Sequence, residues 1–226
     1  MRIIYRISDA GYNKVKPNFI NNENCLKNFI YVFGNQNIDI IADNCSIDTI
    51  NMIKKYIDSK NINEVSIGHG AGTFNIALNM ALKLDDKEVI YFVENDYLHK
   101  EKSDLIILEG FELGADYISL YDHPDKYVNG ANPYVESGGE ITRVLLSKSS
   151  HWKLTNSTTM TFAAKVKTLK EDEIVLREYT KDSYPRDFEM FLSLRDKGRS
   201  LITPIPGYST HGESNWLSPL INWSNL

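Results

Sequence analysis

The first 122 residues repeat one alternation that narrows the choice of fold more than any other feature. A short, almost unbroken apolar run is followed by a polar or glycine-bearing turn, then by apolar residues at helical spacing. The runs are Ile3 to Ile7, IDIIADN at 38–44, EVSIG at 64–68, EVIYFVEND at 88–96 and DYISLYD at 116–122. Between them lie NCLKNFIYVF, a stretch capped by Ser46 with Ile47, Ile50, Ile53 and Ile57 in phase, and HGAGTFN. The last leads into a helix with Ile76, Met80 and Leu84 on one face, Ala77 and Ala81 beside them, and Thr73 as its expected cap. A helix over about 104–113 should stop at Gly114, whose missing Cβ suits a left-handed residue. Strands apolar on both sides belong in a parallel sheet covered on both faces, and ligands of such sheets sit beyond the carboxyl ends of the strands. Asp9, Asp43, Asp96 and Asp122 fall at those ends.

Beyond residue 122 the pattern changes. HPDKYVNGANPYVESGGE reads as a long loop, and ITRVLLSKS, WKLTNSTTMTFAAK and EIVLREY read as strands. SYPRDFEMFLSLRDKG reads as a helix with Pro185 in its first turn, Phe188, Phe191 and Leu192 buried and Gly198 as its stop. An irregular tail with one short strand follows. The expectation is one unit over 1–226, with a ligand-binding half (1–122) and a smaller β/α half (123–226) ending in a closing tail.

With 42% hydrophobic and 24% charged residues the composition is that of a globular protein. A net charge of −5 offers no basic field for a phosphate backbone, so nucleic acid is not an expected partner. Cys25 and Cys45 form neither a metal spacing nor a disulfide framework, which points to a reduced, cytoplasmic setting. MRIIYRISDAG reads as a first strand rather than a signal peptide, and no window approaches the roughly 20 apolar residues of a membrane span. WLSPLINW, with its two tryptophans, would allow peripheral membrane attachment.

The chemistry concentrates in Glu94-Asn95-Asp96. If the strand runs on, Glu94 and Asp96 point the same way, and two carboxylates side by side call for a cation between them. Hard oxygen ligands suit Mg2+ or Mn2+. Gly68, Gly70 and Gly72 precede a helix start, but without Gly-Lys-Ser/Thr they make no P-loop, and a tight turn explains them. Tyr121, Tyr127 and Trp152 have faces suited to stacking on sugar rings. Asp122, His123 and the run Thr155 to Thr161, with Thr158 and Thr159, can bond sugar hydroxyls. Asp122, His123 and Asp125 could also be read as a hydrolase-type metal site.

The acid-x-Asp triplet at the end of the fourth strand resembles the DXD motif of GT-A fold glycosyltransferases. The longer YFVENDYLH is similar to a subgroup of small bacterial or viral transferases with Glu-x-Asp before Tyr-Leu-His. The resemblance extends over essentially the whole chain. It implies a Rossmann-like, mainly parallel sheet and a donor site for a UDP- or GDP-sugar. It also implies a divalent metal on Asp96, with Glu94 reaching a ribose hydroxyl or a metal-bound water. The family pattern adds a late histidine to the metal, here His211 in GYSTHGE rather than His99, His123 or His151. It places Arg6, Ser8, Asp9, Asp43, Asn44 and Asn95 near base, ribose and phosphates. An acid opening a late helix would be the base of an inverting transfer to a glycan, protein or lipid-linked acceptor. Asp187 is that acid, with Glu189 and Asp182 in reserve. Two other classes remain open on sequence: a sugar nucleotidyltransferase, for which RISDAGYNKVK would have to hold a triphosphate, and a non-catalytic glycan- or nucleotide-binding protein.

Overall fold

The computed structural model describes residues 1–11 and 14–226. Positions 12 and 13 of the RISDAGYNKVK stretch therefore lie outside the described residues. The first half runs β1 (Arg2–Ser8), α1 (Asn22–Phe33), β2 (Ile38–Asp43), α2 (Ile47–Lys54), β3 (Ile62–Val65), α3 (Gly70–Ala81), β4 (Val89–Glu94), β5 (Tyr97–His99), α4 (Ser103–Glu112) and β6 (Tyr117–Ile118). The second half holds β7 (Val135–Glu136), β8 (Gly139–Glu140), β9 (Val144–Leu146), β10 (His151–Leu154), β11 (Phe162–Lys165), α5 (Val166–Glu178), α6 (Asp187–Asp196), β12 (Leu201–Ile205) and β13 (Ser209–His211).

Nine strands form the central sheet in the order β3-β2-β1-β4-β11-β6-β12-β10-β9. Following the pairings across it, β11 and β10 run against the other seven. The sheet is thus mainly parallel, as the apolar strands required. Alternation along β1 shows why both faces needed apolar residues. Ile3, Tyr5 and Ile7 pack with Leu26 and Phe29 of α1, Ile50 and Ile53 of α2, and Ile106 of α4. Ile4 packs on the other face with Phe74 and Leu78 of α3, Leu169 of α5 and Met190 of α6. Each face buries several side chains at about 1.5–3 kcal/mol apiece, enough to hold the strand ends in a fixed plane.

The structure corrects several local readings. EIVLREY is the end of helix α5, not a strand. Val166, Leu169, Val175 and Leu176 are its buried face, while the β-branched Ile174 that suggested a strand is exposed. Pro185 precedes α6 rather than sitting in its first turn, and the fully buried face is Met190, Phe191 and Leu194. Helix α3 is capped by His69, not Thr73, because the His69 Nδ1 accepts from the Gly72 N–H at 3.0 Å. Its best-buried face is Phe74, Ala77, Leu78 and Ala81. The tail carries two strands, one of them outside the central sheet. No helix among the described residues is long and apolar enough to cross a membrane.

Candidate active site

The carboxyl ends of the parallel strands open on one cleft of about 450 Å³, and its lining runs from the end of β1 to the turn after β4. Strand β11 runs the other way, so its beginning lies at this same edge and brings Thr159 and Met160 to the cleft. Asp43, Gly68, His69, Glu94, Asp96 and Asp187 are also in the lining.

After Glu94 the chain turns, and Tyr97–His99 leaves the central sheet to pair antiparallel with Ser209–His211. In that register His211 faces Tyr97, one residue past Asp96. The His211 Nε2 stands 3.3 Å from the Asp96 Oδ2, and both residues are buried. The Lys16 ammonium lies 2.9 Å from the same carboxylate oxygen, and the Lys14 Nζ lies 3.1 Å from the His211 Nε2. Burial acts to raise the Asp96 carboxyl, but the neighbouring His211 and Lys16 outweigh it and hold the group below its ordinary range.

One ring nitrogen here faces incompatible neighbours. An ammonium can only donate, so Nε2 must be bare toward Lys14; an ionised carboxylate can only accept, so Nε2 must carry hydrogen toward Asp96. A cation between imidazole and carboxylate removes the conflict, since each offers it a lone pair. Adjacent ligands about 2.1 Å from an octahedral ion stand about 3 Å apart, close to the 3.3 Å seen. The pair therefore fits a divalent cation with its remaining positions left to ligand oxygens. Glu94, expected beside the metal and reaching a ribose hydroxyl or a metal-bound water, faces Arg6. Its Oε1 pairs with the Arg6 guanidinium at 3.2 Å, and no group of three or more acidic, His or Cys side chains among the described residues could hold a metal.

The other donor-side residues are mostly braced by backbone. Arg6 donates to the carbonyls of Gly70 and Met160, tying the start of α3 to the start of β11. Asp43 accepts from the Ile67 and Gly68 amides at 2.6 and 2.9 Å. Asp9 accepts from the Ser46 amide and the Thr49 hydroxyl, both at 2.7 Å, capping α2 from outside. Slight burial opposes these bonds, yet they lower the Asp9 carboxyl. Ser8 exchanges its hydroxyl with Ala10, and Asn95 donates to the Ser8 carbonyl at 3.2 Å. Asn44 falls outside this cleft, facing a smaller hollow beside Cys45 and Glu64.

Asp187, at the start of α6, accepts four hydrogen bonds: from the amides of Thr158, Thr159 and Met160 and from the Thr158 hydroxyl. Thr158 is buried beneath it, whereas Thr159 faces the cleft. The expected acceptor residues do not gather there. Trp152 is fully buried, its ring edge against Gly110 and its Nε1 donating to the Ser147 Oγ, so no sugar can reach its face. Tyr121 is likewise buried, donating its hydroxyl to the Trp216 carbonyl. Asp122 is buried in an ion pair with Lys153 at 2.9 Å and accepts from the Tyr127 hydroxyl at 2.7 Å. The half-buried His123 lies between Tyr121 and Trp216 and contacts Asp125. These polar aromatic positions are interior, which removes the stacking role assigned to Tyr121 and Trp152 and the hydroxyl-binding role assigned to Asp122.

Sequence reading gave His69 and Tyr184 no site role, and Lys14 and Lys16 one only within RISDAGYNKVK as the triphosphate segment of a nucleotidyltransferase, yet all four line the cleft. For the lysines a signal was present: residues two apart in an extended segment share a side. Since the Gly72 amide donates to the His69 Nδ1, a neutral His69 ring carries its hydrogen on Nε2.

No family model matches the chain, and no curated protein matches it. Solved structures do. The crystal structure of GalNAc-T7 with UDP, GalNAc and Mn2+ superposes with a TM-score of 0.60 over 96% of this chain at 12% identity, and the match takes in 44% of that longer chain. A CMP:2-keto-3-deoxy-manno-octonic acid synthetase complexed with CTP gives 0.48 at 11% identity, covering 91% of each chain. The galactosyltransferase LgtC with donor and acceptor sugar analogs gives 0.42 at 13%, covering 85% of this chain and 69% of that one. The α/β fold, with its mainly parallel sheet and helices on both faces, is of the GT-A type.

Proposed function

We propose that this chain is a metal-dependent glycosyltransferase that moves a sugar from a nucleotide-sugar to an acceptor hydroxyl. The observation that carries the reading is the meeting of Asp96 and His211 at the carboxyl end of β4, inside a cleft framed by strand ends. Asp96 and His211 would hold the divalent ion, which supplies charge neutralisation for a departing diphosphate. Arg6 holds Glu94 in place and fixes the floor of the donor site. The GalNAc-T7 structure holds UDP and Mn2+, which supports this choice of ligand class.

For an inverting transfer, Asp187 is the proton acceptor of the proposal. Three of its four donors are backbone amides that cannot move away. The Thr158 hydroxyl can rotate, so that is the bond an acceptor hydroxyl would replace.

The Asp96→Ala variant tests the reading. Mn2+-dependent binding of UDP or GDP by calorimetry and sugar transfer should both disappear while the circular dichroism spectrum stays native. Normal transfer by that variant would refute the assignment. A second reading, sugar nucleotidyl transfer, draws support from Lys14 and Lys16, which follow β1 and reach the cleft. Release of pyrophosphate from a nucleoside triphosphate and a sugar phosphate would decide for it.

A further inference from the structure

The acids of the cleft differ in the partners they meet. Asp9, Asp43 and Asp187 are bound by amides or hydroxyls of the protein, and Glu94 is matched by Arg6. Two ammonium groups meet Asp96 and its histidine: Lys16 is on Asp96, and Lys14 is on the His211 ring that also faces Asp96. Two ammonium groups thus converge on the Asp96–His211 pair in a partly buried position, and ammonium groups form charge-assisted hydrogen bonds with phosphate oxygens. The same lysines occupy the two atoms that fit a divalent ion.

Their position is built rather than incidental. Val15, between them, accepts a hydrogen bond at 2.9 Å from the Ser214 amide, three residues past His211. The lysine segment and the histidine segment are therefore fastened to each other by backbone. Gly212 lies against the carbonyl of Asp96 so closely that an added Cβ would stand 2.7 Å from it, which keeps the histidine segment against the turn after β4.

We propose that Lys14 and Lys16 are the diphosphate-binding arm of this cleft. They stand on His211 and Asp96, at 3.1 and 2.9 Å. On binding, the phosphate oxygens of a nucleoside diphosphate take up the two ammonium groups and free both ligand atoms for the cation. The inference rests on the proposed reading of the cleft as a metal-nucleotide site. It adds a prediction that reading does not make: the lysines attract phosphate and compete with metal.

Calorimetric titration of the full chain with inorganic pyrophosphate, UDP, GDP and, separately, Mn2+ alone tests it, comparing wild type with Lys14→Met/Lys16→Met and with Lys14→Arg/Lys16→Arg. The expected result for the methionine pair is a loss of about tenfold to a hundredfold in affinity for pyrophosphate and nucleotide, the range for lost charge-assisted bonds. Mn2+ alone should bind that variant at least as tightly as wild type, and the arginine pair should retain anion binding. Unchanged pyrophosphate and nucleotide affinity in the methionine pair, or weaker Mn2+ binding, would overturn the arm while leaving the metal-nucleotide site standing. A wild-type protein that binds none of the four probes would overturn both.

Discussion

At the scale of single residues, chemically alike carboxylates have different fates. Asp43 and Asp187 spend their oxygens on backbone amides, and Asp9 on one amide and side-chain donors. Among the described residues Asp96 pairs with a lysine and an imidazole, groups that a ligand can replace. Asp187 holds Thr159 and Met160 in left-handed backbone conformations, at φ of 48° and 55°, which non-glycine residues avoid. Asp187→Ala strands three amides, so a loss of about 1–3 kcal/mol is expected, read as a lower urea midpoint. An unchanged midpoint would mean that the segment needs no such anchor. His99 is a second case. Burial pushes its imidazole down to about 3, with the Tyr91 hydroxyl at 2.8 Å from its Nε2. The unfolded chain binds this proton near pH 6.5 and the folded chain only near 3. The contribution of His99 is therefore complete above 6.5 and lost as pH falls toward 3. Denaturant titrations at pH 6.5 and 5 should show the decline, at up to about 1.4 kcal/mol per pH unit from this group, and His99→Gln should flatten it.

Among the elements, the short ladder of β5 with β13 matters most for the site. It is three residues long on each side and lies outside the central sheet, yet it sets the distance between Asp96 and His211. Leu98 of β5 packs with Ile20, Cys25 and Trp223, so the tail is held by an apolar cluster of its own. Gly212→Val would drive side-chain carbon into the Asp96 carbonyl and Ile20, forcing β13 away. Mn2+ affinity should drop at least tenfold while the far-UV spectrum stays native; full metal binding by this variant would show that His211 is not needed. Helix α5 carries the opposite lesson. Its EIVLREY end is rich in β-branched and aromatic residues, but the preceding Val166 and Leu169 set a helical phase that tertiary packing against α3 and α6 enforces.

For the whole molecule, strand direction decides where chemistry can occur. Parallel strands bring their carboxyl ends to one edge, and the reversed β11 adds its beginning to that edge, so one cleft draws on both halves of the chain. A nucleotide that binds the native cleft stabilises the whole fold by mass action. At a hundred times its Kd this amounts to about 2.7 kcal/mol, or a rise in Tm of roughly 5–10 °C for a chain of this size. The rise should require Mn2+ and vanish in Asp96→Ala; an equal rise without metal would separate nucleotide binding from the Asp96–His211 pair. The alternation of apolar strands and amphipathic helices was enough to specify the layered sheet, its two buried faces and the edge on which the cleft opens, because those follow from local periodicity and the need to bury it. Residues 96 and 211 could be named as partners only by resemblance. Which acids stay available, that Trp152 and Tyr121 are interior, and that Lys14 and Lys16 come to lie on His211 and Asp96 were decided by tertiary structure. Each depends on contacts between segments far apart in the chain, and no short-range pattern encodes those.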